Sequence, residues 1–386
     1  MVGFRGCQCC AWLAVAFCAA VTVAARAADC PVVESPIEVP IQGNPQSDPC
    51  NQNGTDICVP LRPAFTSWCR GGEESYAIFD AVFLQRDNQA YGRPTVIRGP
   101  NGPAAISTSD LTFNTQPGMR LFYGEASDCG RGWEIGYLGV WGMFAEDTVS
   151  GGAGQLQVPD PLGDPTGVLN GGTVARATVR SSVNSLEANV FSRWCDGGPD
   201  RLAGEPWRRC GNYDRGTWDW LAGFRWANLD ETALLSFTPA DVPGSGLYDV
   251  GATSNIFAAQ VGGRGRMAWD RWAFESWAKV GLGGTAMSQQ QAPILNSALQ
   301  PTFQERPTRS ASEGGVGLIG DLNFTLTYRM TETWGLRLGY NMLWLSGVAM
   351  APNQFDFSPA PAGGNALNGG SSIYLAGANL GLEARW

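Results

Sequence analysis

Apolar and polar residues alternate along ten separate segments of this chain. The clearest segment has Trp218, Trp220, Ala222, Phe224 and Trp226 on one face and Asp219, Gly223 and Arg225 on the other. Successive side chains of a β-strand point to opposite faces, so each segment predicts a strand with one apolar face. The other nine lie at about 76–86, 118–124, 133–144, 183–194, 253–268, 272–284, 318–329, 334–344 and 371–386. This pattern predicts an all-β fold, an antiparallel up-and-down transmembrane β-barrel of about ten strands.

The polar faces of these strands carry charges of both signs. In a membrane barrel the apolar side chains meet lipid and the polar ones point into the interior. The expected lumen-facing residues are Asp80, Glu187, Arg193, Asp219, Arg225, Arg264, Glu275, Lys279, Asp321, Arg329, Arg337, Glu383 and Arg385. Interiors of about eight strands are filled by side chains, whereas open aqueous channels are typical of about 16–18 strands. We therefore expect opposite charges to pair across a closed lumen; an open lumen that selects small ions is the alternative.

The connections between strands alternate in length. Long ones are expected at about 87–117, 145–182, 230–252, 285–314 and 347–370, and short ones at 125–132, 269–271 and 330–332. Barrels of this kind have long outer loops and short periplasmic turns. The connection 195–216 is the exception, because it falls on the periplasmic side and is nevertheless long.

The N-terminal part of the chain differs from the rest. Arg5 precedes an apolar run from Ala11 to Ala25, and small residues follow, so residues 1–27 are expected to be a cleaved signal peptide. Residues 28–70 are rich in proline and cysteine, which predicts an irregular periplasmic segment, a plug in the barrel mouth or a flexible leader. Residues 71–386 are the expected outer-membrane barrel.

Seven cysteines follow the signal peptide, and all lie before the first strand or in connections assigned to the periplasm: Cys30, Cys50, Cys58, Cys69, Cys129, Cys195 and Cys210. Disulfides form in that oxidising space. We predict a bridge between Cys195 and Cys210, with Cys129 free or paired to the N-terminal segment. The alternative is that these are scattered cysteines of an exported protein, whose positions do not indicate which connections are periplasmic.

Composition excludes several classes of function. The chain contains no histidine, so His-dependent hydrolytic sites and HExxH zinc sites are excluded. The formal net charge of −9 argues against nucleic-acid binding. We therefore expect no enzyme activity, no catalytic residues, no cofactor and no metal site.

One stretch of the sequence carries a resemblance to a known family. Residues 255–262 (NIFAAQVG), followed by Arg264, Trp272 and the run 279–283 (KVGLG), resemble the exported proteins called the seventh family of β-barrel porins. The opening strand with Asp80 and the closing strands from about Gly315 to Trp386 are similar to that family too. The resemblance covers most of residues 76–386 and implies an outer-membrane barrel; it brings no catalytic residues.

The expected function is that of an integral protein of the bacterial outer membrane. It is either a structural or surface barrel or a narrow porin-like channel for small solutes or ions. The terminal Trp386 resembles the ends of other barrels, which implies an assembly signal read by the barrel-assembly machinery; outer-membrane lipid is the other expected partner. The alternative is a soluble exported β-sandwich used for binding or adhesion, whose strands also alternate.

Overall fold

A computed structural model describes residues 74–127, 130–152, 154–159, 169–195, 217–239, 246–296, 303–358 and 364–386. Almost all regular structure in these residues is β-strand, and the single helical turn is a 3-10 helix at Ala351–Gln354. Within these ranges no helix is both long and apolar enough to cross a bilayer.

Ten long strands form the wall of the fold. They are β1 Glu74–Arg86, β2 Gln116–Ala126, β3 Arg131–Ser150, β4 Gly172–Cys195, β5 Thr217–Pro239, β6 Gly246–Trp269, β7 Trp272–Gln291, β8 Arg309–Arg329, β9 Trp334–Val348 and β10 Ser371–Arg385. Each strand is antiparallel to the next in chain order.

The ring closes where β1 pairs with β10, from Tyr76 opposite Arg385 to Arg86 opposite Leu375. Beyond that ladder the backbones of Ser75 and Trp386 exchange two hydrogen bonds of 3.0 Å. The predicted antiparallel barrel of about ten strands is therefore confirmed, and the closed ring excludes the β-sandwich.

The two ends of the barrel differ in their connections. One end, called here the turn end, has the connections 127–130, 196–216, 270–271 and 330–333. The other, the loop end, has 87–115, 151–171, 240–245, 292–308 and 349–370. Three predicted long loops were wrong in their bounds, because strands β3 to β8 continue through much of 145–182, 230–252 and 285–314.

The lower section of the barrel runs from the turn end to a row formed by Asn184, Asn228 and Asn255, which are register partners on β4, β5 and β6. Its outer face is apolar and has an aromatic girdle at each edge. On β9 the two girdles are marked by Trp334 and Trp344, both exposed on the outer face. Their spacing along a tilted strand corresponds to a band roughly 25 Å tall, the height of the apolar band of membrane barrels.

The upper section lies beyond that asparagine row. Only β3 to β8 extend into it, being 20 to 24 residues long against 11 to 15 for the other four. Here the apolar face is the inner one: Leu235 and Phe237 of β5 are buried, while Thr232 on the outer face is exposed. The apolar face of the wall is thus the outer one in the lower section and the inner one in the upper section.

Loop-end connections cover the inner face of the upper section. Short strands Pro94–Arg98, Ala104–Ser107 and Leu156–Gln157 extend the sheet from the end of β4, and Ile294–Asn296 pairs with Phe303–Arg306. Buried apolar side chains from these loops, such as Val96, Ile106 and Leu156, join one core with those of the strands.

Some predicted features lie outside the described residues. These are the signal peptide at 1–27, the segment at 28–70, and the cysteines Cys30, Cys50, Cys58, Cys69, Cys129 and Cys210. Cys195 ends β4, but its side chain is also outside the described part, so the bridge to Cys210 stays a prediction.

Candidate functional site: the barrel interior

The inner face of the lower section carries a dense group of charged side chains, called here the charge belt. Its members are Asp80, Arg120, Glu134, Glu187, Arg193, Asp219, Arg225, Arg264, Arg266, Glu275, Lys279, Asp321, Arg337, Glu383 and Arg385. They face inward because they occupy the positions that alternate with the exposed apolar residues of the same strands.

Several ion pairs join strands that are not neighbours and therefore cross the lumen. Arg225 of β5 contacts Asp321 of β8 at 2.7 Å. Lys279 of β7 reaches Glu187 of β4 at 3.0 Å. Arg264 of β6 contacts Glu134 of β3 at 2.7 Å. Long side chains from opposite walls thus meet at the centre of the barrel.

Glu134 is the most heavily bonded carboxylate of the belt. Its Oε2 accepts hydrogen bonds from the Tyr76 hydroxyl at 2.6 Å and from Arg264 at 2.7 Å. Its Oε1 accepts from the Asn189 amide at 3.0 Å and from the Lys279 ammonium at 3.3 Å. Glu134 is almost fully buried and has lost its hydration. Four donors from four strands replace the lost water and hold the carboxylate in place.

A second centre of the belt surrounds Glu383 on β10. Glu383 pairs with Arg337 at 2.8 Å, with Arg266 at 3.0 Å and with Arg385. Arg337 also contacts Asp80 at 3.3 Å and Glu275 at 3.5 Å. Arg337 and Arg266 each have more than one carboxylate beside them, which compensates for the loss of their hydration.

Most of the residues predicted to face the lumen are buried. Arg193 and Arg329 are partly exposed, and the other eleven are buried. Arg193 donates to Asp219 at 2.9 Å near the turn end. Arg329 ends β8 at the turn end, where its N–H donates to the Arg271 carbonyl at 2.7 Å; it does not take part in the belt contacts described above.

Sequence reasoning missed several charged residues of the interior. Glu134, Arg120 and Arg266 alternate with outward apolar residues, so the period-two pattern contained the signal for them. Arg86 and Glu231, which form an ion pair, are both completely enclosed. Glu231 lies in the upper section, where the apolar residues are on the inner face of the wall. An alternation of outward apolar and inward polar residues therefore could not predict it.

Apolar side chains fill the lumen above the charge belt. This apolar belt consists of Val82, Leu84, Leu138, Val140, Val183, Leu229, Ile319, Leu343, Leu345 and Leu375, each at most 3% exposed and all in one continuous core. These ten side chains carry no group that binds an ion or water.

The connection between β9 and β10 enters the barrel above the apolar belt. Residues 349–358, called here the plug segment, include the 3-10 helix Ala351–Gln354, and residues 349–355 of the segment are buried. The chain turns inward at Gly347, whose φ is +78° and whose added Cβ would lie 2.1 Å from the Val316 carbonyl oxygen. Only glycine fits that turn.

Asp356 fixes the outer part of the plug segment. Its carboxylate accepts hydrogen bonds from the N–H groups of Gly364 at 2.6 Å and Ser358 at 2.9 Å. Burial by itself would raise the pKa of Asp356, but these hydrogen bonds and the Arg306 cation outweigh it and hold the pKa below the usual range.

The interior thus contains three layers: the charge belt, the apolar belt and the plug segment. Within the described ranges, no group of three or more His, Cys, Asp or Glu side chains is arranged to hold a metal ion. The arrangement is suited to sealing a barrel.

Comparison with known families gives a match over more than half of the chain. The family model described as "Putative beta barrel porin-7 (BBP7)" matches residues 166–386. No curated protein matches the chain.

Solved structures that resemble the chain include several outer-membrane barrels. The outer membrane protease OmpT from Escherichia coli is 10% identical, with 81% of this chain and 96% of OmpT covered and a TM-score of 0.44. The P. putida toluene transporter TodX is 10% identical, with 84% and 92% covered and a TM-score of 0.17. An anion-selective porin from Comamonas acidovorans is 8% identical, with 82% and 99% covered and a TM-score of 0.14. At these scores the architecture rests on the strand pairing of this chain.

Proposed function

The chain belongs to the beta barrel porin-7 family, and from that premise we propose that it is a closed structural barrel of the bacterial outer membrane. It is a porin-like outer-membrane β-barrel. The proposal concerns the state of its lumen: the charge belt and the apolar belt together prevent solutes from passing, and the upper section stands above the membrane as a filled, rigid surface structure.

One observation carries this proposal. The ion pairs Arg225–Asp321, Arg264–Glu134 and Lys279–Glu187 cross the lumen at 2.7 to 3.0 Å. Opening a water-filled path between these side chains would separate buried partners that are held by multiple hydrogen bonds. A barrel of ten strands is also near the size at which side chains fill the interior.

The second candidate is a narrow channel for small ions, and a different observation favours it. Both carboxylate oxygens of Asp80 and the amide nitrogen of Asn379 are buried and have no hydrogen-bond partner within the described part of the chain. Buried polar groups of this kind are normally satisfied by water. The charge belt would then be a wet vestibule reached from the turn end, and the layers above it would decide whether ions pass.

We further propose that the protein is not an enzyme. OmpT, which resembles it, is a protease, but this chain has no histidine and the carboxylates of its interior are held in ion pairs. His general bases are therefore unavailable.

The lumen assignments, the signal peptide at 1–27, the periplasmic segment at 28–70 and the bridge Cys195–Cys210 belong to this proposal. The turn end would then face the periplasm and the loop end the outside. Outer-membrane lipid surrounds the lower section, whose outer wall includes an apolar depression of about 700 Å³ between Trp220 and Trp344; small ions or solutes are partners only of the channel alternative.

Planar-bilayer conductance tests the closed lumen. Protein folded in detergent is first shown to shift its mobility on an unheated gel, which verifies the folded barrel, and is then added to a bilayer in potassium chloride. Silence supports a closed structural barrel. Stable, stepwise current from the same preparation overturns it in favour of the channel, and ion selectivity then identifies the charges along the pathway.

Trp386 is proposed as the assembly signal. Its side chain is half exposed in the turn-end girdle, and its backbone closes the ring with Ser75. Deleting Trp386 is expected to lower the yield of folded barrel in the outer membrane severalfold, while Trp386→Phe keeps the aromatic ring and most of the yield. Equal yields of the deletion variant and the parent would contradict a signal at this residue.

A further inference from the structure

We propose that the plug segment, residues 349–358, is a displaceable gate in the barrel mouth and that Glu231 is the buried latch that holds it there. This inference rests on the proposed function, because it takes the intact barrel to be closed. It adds where the closed barrel can open and which residue controls the opening.

Two backbone groups at the start of the plug segment are bonded to the barrel wall. The N–H of Ala349 donates to the Ser254 hydroxyl of β6 at 2.9 Å. The N–H of Ala351 donates to Oε2 of Glu231 on β5 at 3.0 Å. The segment is therefore attached to the wall on the side opposite the strands that supply it, β9 and β10, and lies across the mouth.

Glu231 is suited to be a latch because it is a carboxylate surrounded by apolar residues. It is 1% exposed, and its neighbours on the inner face of β5 are Leu229 and Ala233, both buried. Its second oxygen accepts from the Ser181 hydroxyl at 3.0 Å and pairs with Arg86 of β1. One oxygen of Glu231 is thus bonded to Arg86 and Ser181 of the wall, and the other accepts the hydrogen bond from the plug backbone.

The outer part of the plug segment has a second attachment. The Tyr248 hydroxyl donates to the Asp356 carbonyl at 3.0 Å, and the Gln291 amide donates to the Gln354 carbonyl at 3.1 Å. Arg306 also donates to the Asp356 carbonyl, at 2.6 Å. All of these partners bond through their side chains, so the plug segment adds no strand to the sheet.

The register of β9 and β10 makes the segment removable. Val348, the last residue of β9, is opposite Ser371, the first residue of β10. The two strands therefore form a complete hairpin without residues 349–370, and displacement of the segment breaks no ladder hydrogen bond between wall strands. Ala349, Met350 and Phe355 of the segment belong to the same buried core as the apolar belt. Displacement of the segment therefore removes packing that holds the belt side chains together, and this is how it would let the lumen open.

The decisive variant replaces residues 349–370 by Asn-Gly, which makes a tight hairpin turn between Val348 and Ser371. Conductance is compared with the parent in the same bilayer. We expect at least a tenfold rise in the frequency of channel openings. Folding is verified for each protein by the gel shift on heating and by the β-sheet signal in circular dichroism.

Point variants test the latch without removing the segment. Glu231→Gln keeps the shape of the side chain and weakens both the ion pair with Arg86 and the bond to Ala351. We expect openings at a frequency between those of the parent and the deletion variant. Glu146→Gln is the matched control, because Glu146 pairs with Arg176 on the exposed outer surface; it is expected to behave as the parent.

The outcomes separate the two proposals. A silent parent with an active deletion variant and an intermediate Glu231→Gln variant supports the gate. A silent parent with an equally silent, folded deletion variant overturns the gate and leaves the closed barrel intact. A parent that conducts steadily overturns the closed barrel itself. If the deletion variant does not fold, unchanged silence of Glu231→Gln combined with Ser254→Ala overturns the gate.

Discussion

The lower and upper sections of the barrel differ in which face of the same strand is apolar. On β5, even-numbered residues point outward along the whole strand. In the lower section the exposed aromatic residues Trp218, Trp220 and Phe224 are even-numbered, and in the upper section the buried apolar residues Leu229, Ala233, Leu235 and Phe237 are odd-numbered. The apolar set changes face near Ala227 without any bulge in the pairing of β5 with β6.

The difference shows that the solvent around each section determines its pattern. Where lipid surrounds the wall, apolar side chains point outward and charged ones point inward. Where water surrounds the wall, apolar side chains point inward and polar ones point outward, as in a soluble protein. The row of Asn184, Asn228 and Asn255 lies at this change, and aromatic N–H and O–H groups of Tyr137, Trp141 and Trp226 bond to it on the outer face.

The interiors of the two sections are consequently held together by different forces. The lower section depends on ion pairs such as Arg264–Glu134, whose partners stabilise each other only when both are present. The upper section depends on burial of apolar area, to which Leu235 and Val250 contribute. Three kinds of substitution test this difference. One places a charge in the apolar interior, one removes a charge from the ion-paired interior, and one places a charge on the outer face.

Leu235→Arg has the largest expected effect. It places a charge on the apolar inner face of the upper section, where Leu235 is completely buried. We expect a loss of about 5 kcal/mol or more in the free energy of unfolding, and unfolding of the upper section, because a buried unpaired charge is among the most costly changes. Limited proteolysis of the folded barrel in detergent measures it. Protection equal to that of the parent would contradict a soluble-type interior.

Arg264→Ala tests the lower interior. The change leaves Glu134 and Asp219 without the cation that contacts both, at 2.7 and 2.8 Å. We expect the free energy of unfolding to fall by about 3–5 kcal/mol. Arg176→Ala is the control, because its pair with Glu146 is on the surface and is expected to contribute at most about 1 kcal/mol. The measurement is a denaturant titration in lipid vesicles, and equal effects of the two variants would argue against a special role of burial.

Phe224→Arg tests the outer face. Phe224 is 49% exposed in the apolar band of the lower section. A charge there is expected to cost about 2–4 kcal/mol and to impair assembly. The same substitution at Thr232, on the same face of β5 in the upper section, is expected to change stability by less than about 0.5 kcal/mol. If both variants unfold at the same urea concentration in vesicles, the boundary between the sections is not at the asparagine row.

The smallest expected effect is on pH dependence at the loop end. Hydrogen bonds from Gly364 and Ser358 hold the pKa of Asp356 low, so its stabilising effect is present above the unfolded pKa of about 4 and is lost as the pH falls through the folded value. Arg306 and Tyr248 are the other titratable groups that face Asp356. We expect hydrogen exchange in residues 349–358 to rise below about pH 4 in the parent.

The variant Asp356→Asn isolates that contribution. It lacks the titrating carboxylate, so its exchange in the same residues should depend less on pH, while the other acidic groups titrate as in the parent. Identical pH profiles of the two proteins would show that Asp356 does not stabilise the plug segment through its charge.

The period-two pattern was sufficient to predict the barrel. All ten predicted strands are present, since alternation with large aromatic residues such as Trp218 and Trp334 is a strong local signal. The predicted loops at 145–182, 230–252 and 285–314 were too long for a specific reason. Apolar residues in the upper section continue to alternate on the other face, so the lipid-facing pattern ends although the strand does not.

The interior was less predictable than the wall. Single residues such as Asp80 and Lys279 could be assigned to the inner face from alternation, but their partners could not, because the pairs join strands that are far apart in sequence. Glu187 and Lys279 are separated by 92 positions and meet only because the ring closes. The plug segment gave no sequence signal either, since its short 3-10 helix is held by side chains of β5, β6 and β7.

The sequence by itself determined that this chain forms alternating strands, ten of them, with one face too aromatic to remain in water. It did so because side-chain alternation is a local property of extended backbone. Only the tertiary structure decided which face lies inside at each height, which charges meet across the lumen and which segment lies in the mouth. Those features depend on ring closure, which brings together residues that no local pattern relates.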